Sequence, residues 1–407
     1  LIPKNHATAT MQWASCWREA AISRSGNVRR VVMQGSCLRR WKEGSGFRFL
    51  STKSIGILSE CYNIWERRAP LCPWHVKELV KDGIRVYVEP SRSRIFLDHE
   101  YETAGAILTD KLDKCDVILG VKQPDKTRLL PSKTYMFFAH VIKGQQENRE
   151  LLEQLLKLGI RLVDYECIRE TGSRTAPRLV AFGKYAGFAG MIDTFQGLGQ
   201  KYLAHGYSTP FLNVSSAYMY RDLASAENAI KAVGAEIRGG ALKRLDHPVV
   251  FTFTGNGNVS RGAQEIFHLL PHRMVRVDEL PALWSARGPH DQVYGCLARD
   301  EHMVARRGAA PSEPFDVAHY RAEPHLYDPV FSARVAPYTT VLVNGIYWDQ
   351  RFPRLLTRSD ASRLHAGREE DVARPLLMLS DISCDIHGSV EFLEKSTSIE
   401  RPYFDYL

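Results

Sequence analysis

The sequence has no run of about 18 uninterrupted apolar residues, so it offers no candidate for a membrane-spanning helix. Its eight cysteines (Cys16, Cys37, Cys61, Cys72, Cys115, Cys167, Cys296 and Cys384) are scattered. None forms C-x-x-C, and none stands with histidines at zinc-ligand spacing. No metal site is expected, and free thiols in a reducing compartment are. Acidic residues are nearly missing from the first 53 positions, which hold ten Lys/Arg against Glu19 and Glu43. The whole net charge of +8 sits there, because the other 354 residues carry 44 basic and 44 acidic side chains. A basic balance confined to a leader gives no support for nucleic-acid binding.

That leader is rich in Arg and Ser and ends Arg48-Phe49-Leu50-Ser51. It reads as a mitochondrial transit peptide over residues 1–53, cut near Ser51, with a basic arm for an anionic partner as the alternative. The expected location is the mitochondrial matrix. A chain of 407 residues predicts two or three domains with real cores.

From residue 54 to 183, short apolar strands alternate with helices, which implies a parallel α/β sheet. Strands are expected at 55–58, 84–88, 106–108, 117–121, 135–139 and 160–163, with helices at 73–81, 99–105 and 147–158. In such a sheet all strands end on one edge, and ligands bind there. Lys122 ends the strand VILGV, His140 ends YMFFA, and Arg68 lies in the loop after the first strand. A solvated lysine, a loop-bonded histidine and a surface ion pair of Glu66 with Arg67 are the plainer readings of each alone. Their convergence on one edge marks them as a candidate acid–base pair and carboxylate clamp.

Residues 181–204 carry an apolar stripe with many glycines and predict one long helix that packs closely on a neighbour. A helix capped by Asp222 follows. Then comes VVFTFTGNGNVSRGAQEIF, residues 249–267: strand, glycine turn, helix, the setting that holds a dinucleotide pyrophosphate. Gly255 permits the turn, Gly257 admits the phosphates, and Ser260 stands where the fingerprint has its third glycine. Residues 273–277 are expected as the next strand, ending in Asp278, 21 positions beyond Gly257, where an acid accepts the ribose 2′-OH of NAD. Arg273 and Arg276 nearby suit the 2′-phosphate of NADP instead. Residues 286–334 show no clean period and read as an irregular excursion. Strands are expected again at 339–343 and 376–379, the last running toward Asp381 and Asp385 at the ligand edge, where an exposed loop aspartate is the plain reading of each.

Together the stretches IGILSECYNIWERRAPL, GVKQP, FFAHVIKGQ, VAFGKYAGFAGM, FTGNGNVSRGAQEIF, APYTTVLVNGIYW, PRLLT and DISCDIHGSVEF cover nearly all of the chain after the leader. In this order they resemble lysine–ketoglutarate reductase, the lysine-forming saccharopine dehydrogenase part of the aminoadipic semialdehyde synthases, within the alanine dehydrogenase and transhydrogenase superfamily. The resemblance implies two Rossmann-like domains with parallel sheets facing a central cleft and joined by the long helix: 54–183 for substrate and catalysis, 184–407 for NAD(P). It implies condensation of L-lysine with 2-oxoglutarate and reduction of the imine to saccharopine with NADPH, NADH being the alternative, as the first step of lysine degradation. Lys122 and His140 match the acid–base pair, Arg68 and Glu166 the substrate site, and Gly255, Gly257, Ser260 and Asp385 the cofactor site; Asp278 comes from the spacing above.

Three departures accompany it. The loop CDIHGS, with His387, stands where the family more usually has a small residue and glycines, and Gln123 stands where fungal relatives often have glutamate. The family also continues past the equivalent of Leu407, with a return segment and, in animals, a glutamate-forming dehydrogenase, so a truncated chain is expected. Homo-oligomerisation stays open. The rival readings are an alanine-dehydrogenase-like oxidoreductase and an inactive nucleotide-binding remnant.

Overall fold

A computed structural model describes residues 54–406, apart from 145, 171–175, 177, 287–289, 311, 312, 367–372 and 374. The leader 1–53, with the expected transit peptide, lies outside the described residues. The contacts divide the chain into two units, one ending at Ala181 and the other beginning at Phe182.

The first unit contains β1 (Ser54–Ile57), α1 (Pro73–Lys81), β2 (Arg85–Val88), α2 (Asp98–Thr103), β3 (Ile107–Leu108), β4 (Val117–Leu119), β5 (Thr134–Phe137), α3 (Arg149–Lys157) and β6 (Arg161–Asp164). Pro73 opens α1 at a position whose N–H has no intrahelical partner. The six strands form one parallel sheet in the order β3-β2-β1-β4-β5-β6. β1 is buried along its whole length, which accounts for its unbroken apolar character. The register pairs Ile57 with Leu119, Leu119 with Met136 and Phe137 with Asp164, so four neighbouring strands end almost level.

The second unit opens with α4 (Gly183–Ala204) and α5 (Leu223–Arg238), whose cap Asp222 accepts from Ser225 N at 2.8 Å. Then follow β7 (Val250–Thr254), α6 (Asn258–Phe267), β8 (His272–Val275), α7 (Leu280–Ser285), β9 (Val293–Ala298), α8 (Asp300–Met303), β10 (Val304–Arg306), α9 (Val317–Ala322), β11 (Tyr327–Pro329), α10 (Phe331–Arg334), β12 (Val341–Asn344), α11 (Arg358–His365) and β13 (Met378–Asp381). Its parallel sheet has the order β13-β12-β7-β9-β8, with β10 and β11 as a separate antiparallel pair. Alternate residues of β7 serve two cores. Phe251 and Phe253 pack on α4, α5 and α6, while Val250 packs with Leu280, Leu283 and Phe331 on the other face. Each fully buried phenylalanine contributes about 1.5–3 kcal/mol.

Two expectations are corrected. The stretch 286–334 is not an irregular excursion, because β9 within it is an inner strand of the sheet. β9 is buried along almost its whole length and so shows no alternation, and at Gly295 a Cβ would lie 2.5 Å from Met274 Sδ and 2.8 Å from the Phe267 ring. The strand expected at 273–277 ends at Val275 and takes the edge of the sheet, with β9 between it and β7.

Candidate active site

In the first unit the candidate side chains leave the sheet two or three residues beyond the level strand ends. Glu60 follows β1, Lys122 follows β4, His140 follows β5 and Glu166 follows β6. Neighbouring strands lie about 4.8 Å apart, so four loops deliver these groups along one edge.

Glu60 clamps the lysine loop. Its carboxylate accepts from Val121 N at 2.6 Å and from Lys122 N at 3.0 Å. Burial pushes its pKa up against those two bonds. The Lys122 ammonium lies 5.0 Å from the centre of the Tyr62 ring. Burial and then the positive charge of Arg68 hold it below the ordinary lysine range, opposed by Glu66 and Glu60. Arg68 pairs with buried Glu66 through Nη2–Oε2 at 2.6 Å and Nε–Oε1 at 2.8 Å. Burial works to raise the Glu66 carboxyl, but the Arg68 pair outweighs it and leaves the group below its usual value. The ion pair foreseen for Arg67 is therefore made by Arg68, whose side chain is still 45% exposed.

His140 sits in the left-handed region at φ 56°. Buried Asp164 holds it there, accepting from Ala139 N (3.3 Å), His140 N (3.0 Å) and Glu166 N (3.0 Å). The ring Nδ1 meets Glu166 Oε2 at 2.9 Å, and Arg178 Nη1 meets the other carboxylate oxygen at 2.7 Å. With Nδ1 committed to Glu166, Nε2 is the ring nitrogen that this contact leaves unengaged. Gln123 ties the two loops together, donating to Ala139 O (2.9 Å) and Asn148 Oδ1 (2.8 Å), which a glutamate could not do. Glu60, Asp164 and Arg178 escaped the sequence reading. They act through backbone amides or another side chain, and no motif marks such roles.

In the second unit β7 runs into Gly255 at φ 72°, where a Cβ would also meet Ile346 Cγ2 at 2.7 Å. A Cβ on Gly257 would meet nothing within 4 Å, so the space before the turn is open. The bond from Arg261 N to Gly257 O at 3.0 Å starts α6, and the amides ahead of it have no intrahelical acceptor. This turn fits a pyrophosphate. Ser260 is buried, its Oγ accepting from Gln264 at 3.1 Å, and its backbone packs on Gly345. The close helix contact falls two residues later: a Cβ on Gly262 would lie 2.1 Å from Lys184 O.

Asp278 is not beside the turn. It lies in the 3₁₀ turn Val277–Glu279 after edge strand β8, exposed and forked by Arg276 at 2.6 and 2.9 Å. That hydrogen-bonded pair holds its carboxyl low. The spacing rule failed because β9 takes the neighbouring place. Asp381 ends β13 and accepts from Asn344 Nδ2 (3.1 Å), Ser383 N (3.1 Å) and Ser383 Oγ (2.5 Å), while Thr254 Oγ1 donates to Asn344 Oδ1 at 2.7 Å. Asp385 lies farther on, in an exposed turn. His387 in that turn has φ 51°, a conformation glycine takes without cost. Among the described residues, no helix is long and apolar enough to cross a membrane.

Residues 56–189 match the family described as alanine dehydrogenase/PNT, N-terminal domain. Over 368 residues the chain is 44% identical to an alpha-aminoadipic semialdehyde synthase of Arabidopsis thaliana, covering 86% of this chain and 34% of that one. The alpha-aminoadipic semialdehyde synthase, mitochondrial, of Bos taurus is 43% identical, with 86% and 38% covered. The chain thus spans just over a third of the length of these relatives. A solved L-alanine dehydrogenase superposes with a TM-score of 0.53 at 18% identity, over 87% of this chain and 80% of that one, which shows the fold: parallel α/β with Rossmann-like sheets.

Proposed function

From a chain homologous over 86% of its length to alpha-aminoadipic semialdehyde synthases, we propose a lysine–ketoglutarate reductase, a lysine-forming saccharopine dehydrogenase. It condenses L-lysine with 2-oxoglutarate and reduces the imine to saccharopine, the entry to lysine degradation. The observation that carries this reading is the convergence of Lys122, His140 with Glu166, and Arg68 at one sheet edge. Mitochondrial location is part of the proposal and follows the name of the cattle relative.

Each group suits one demand of the reaction. The attacking ε-amine must be neutral, so a proton has to leave it. The carbinolamine oxygen must then leave as water, so a proton has to be supplied. His140, with Nδ1 held by Glu166, presents Nε2 for such transfers. Lys122, its ammonium destabilised by burial and Arg68, releases a proton more readily than an ordinary lysine. Arg68, whose side chain is partly exposed beside its bond to Glu66, is the cation for a substrate carboxylate. Gly255, Gly257 and the start of α6, with buried Ser260, would hold the pyrophosphate of a nicotinamide dinucleotide, and Asp385 its nicotinamide ribose. That cofactor supplies the hydride when bound. NADPH is proposed over NADH.

The test follows NADPH absorbance with both L-lysine and 2-oxoglutarate, with each omitted in turn, and with NADH. Oxidation that requires both substrates supports the proposal. Oxidation with pyruvate and ammonia instead, or none despite bound NADPH, refutes it.

A further inference from the structure

Resting on the proposed nicotinamide cofactor, we infer that Arg299 reads the 2′-phosphate of the adenosine ribose and sets a preference for NADPH. In a dinucleotide fold the ribose lies over the end of the strand next to the phosphate-turn strand, on the side toward which the crossover helix leads. Here α6 leads toward β8, but β9 occupies the neighbouring place. Thr254 pairs with Ala298, and Gly255 N donates to Ala298 O at 3.1 Å, so Arg299 stands level with the turn. One strand further out, after β8, Asp278 and Arg276 neutralise one another.

The charges beside the turn favour a phosphate over a free hydroxyl. Arg299 is exposed, and its guanidinium makes no ion pair among the described residues. Arg261, in the first turn of α6, bonds the Asn256 amide oxygen at 3.1 Å and likewise has no carboxylate partner among them. The acid that follows, Asp300, is half-buried at the start of α8, where burial raises its pKa against the charge of Arg321. A fork of donors without a carboxylate is what binds a phosphate dianion, whereas a ribose 2′-OH calls for a free acid at the strand end.

The test measures binding of NADPH, NADH and 2′,5′-ADP to the whole chain by calorimetry, without turnover. The wild type is expected to bind NADPH more tightly than NADH and to bind 2′,5′-ADP. Arg299→Ala should lose about ten- to a hundredfold in NADPH affinity and far less in NADH affinity, so the preference collapses. Arg299→Lys should restore part of it, and Arg276→Ala should leave the ratio unchanged. An unchanged ratio in Arg299→Ala, or a collapse in Arg276→Ala instead, overturns the assignment while sparing the cofactor reading, and a wild type that prefers NADH overturns the assignment together with the proposed NADPH preference. Binding of neither nucleotide overturns both.

Discussion

His140 carries the sharpest residue-scale expectation, because its backbone is held by Asp164 and its ring by Glu166. Lys122→Met and His140→Gln should each lower kcat by about 10²–10⁴ while NADPH affinity changes little, as steady-state rates beside nucleotide titrations will show. Arg68→Ala should raise the KM for a substrate by roughly ten- to a hundredfold. It should also move a pH limb. Removing the Arg68 charge takes away one cause of the low Lys122 pKa, and it frees Glu66, which favours the ammonium. Both effects raise that pKa, so whichever limb of kcat/KM Lys122 governs shifts to higher pH. Lys122 and His140 were visible in the sequence as polar residues closing apolar runs, and Arg68 as a cation in the loop after the first strand. Asp164 was not, because it looks like any aspartate ending a strand.

Packing of α4 against α6 is decided by two glycines. A Cβ on Gly187 would lie 2.1 Å from Val259 O and 2.7 Å from Ala263 N, backbone atoms that cannot swing away. Gly187→Ala or Gly262→Ala should cost about 3 kcal/mol or more in denaturant unfolding. Either should weaken NADPH binding as well, since α6 begins at the phosphate turn. The density of small residues in 181–204 announced such a contact. Which glycine of the turn region made it could not be read, because Ser260 and Gly262 sit on different sides of α6 and only the facing helix tells them apart. β9 was lost for a similar reason: its place comes from pairing with β7 and β8, while its own six residues show no alternation.

For the whole molecule, stability should depend on pH through Asp193 of α4. Its carboxyl is pushed from 3.8 to about 6 by burial, against a bond from Ala217 N at 2.8 Å. The folded pKa lies above the unfolded one, so this contribution is full below about 3.8 and is lost as pH rises through about 6. Discounted for partial exposure, the loss is about 1–2 kcal/mol. Asp193→Asn keeps the acceptor without the charge, so its urea midpoint should gain on the wild type from pH 4 to pH 8. The sequence alone determined the parallel α/β class, the glycine turn and the polar residues at the strand ends, because strand burial, turn chemistry and helix period are local and leave a pattern in order. Only the tertiary structure decided that Asp164 and Glu166 hold His140, that Glu60 holds the lysine loop, and that β9 stands beside β7. Strand order and side-chain partnership join positions tens of residues apart, and no local period records them.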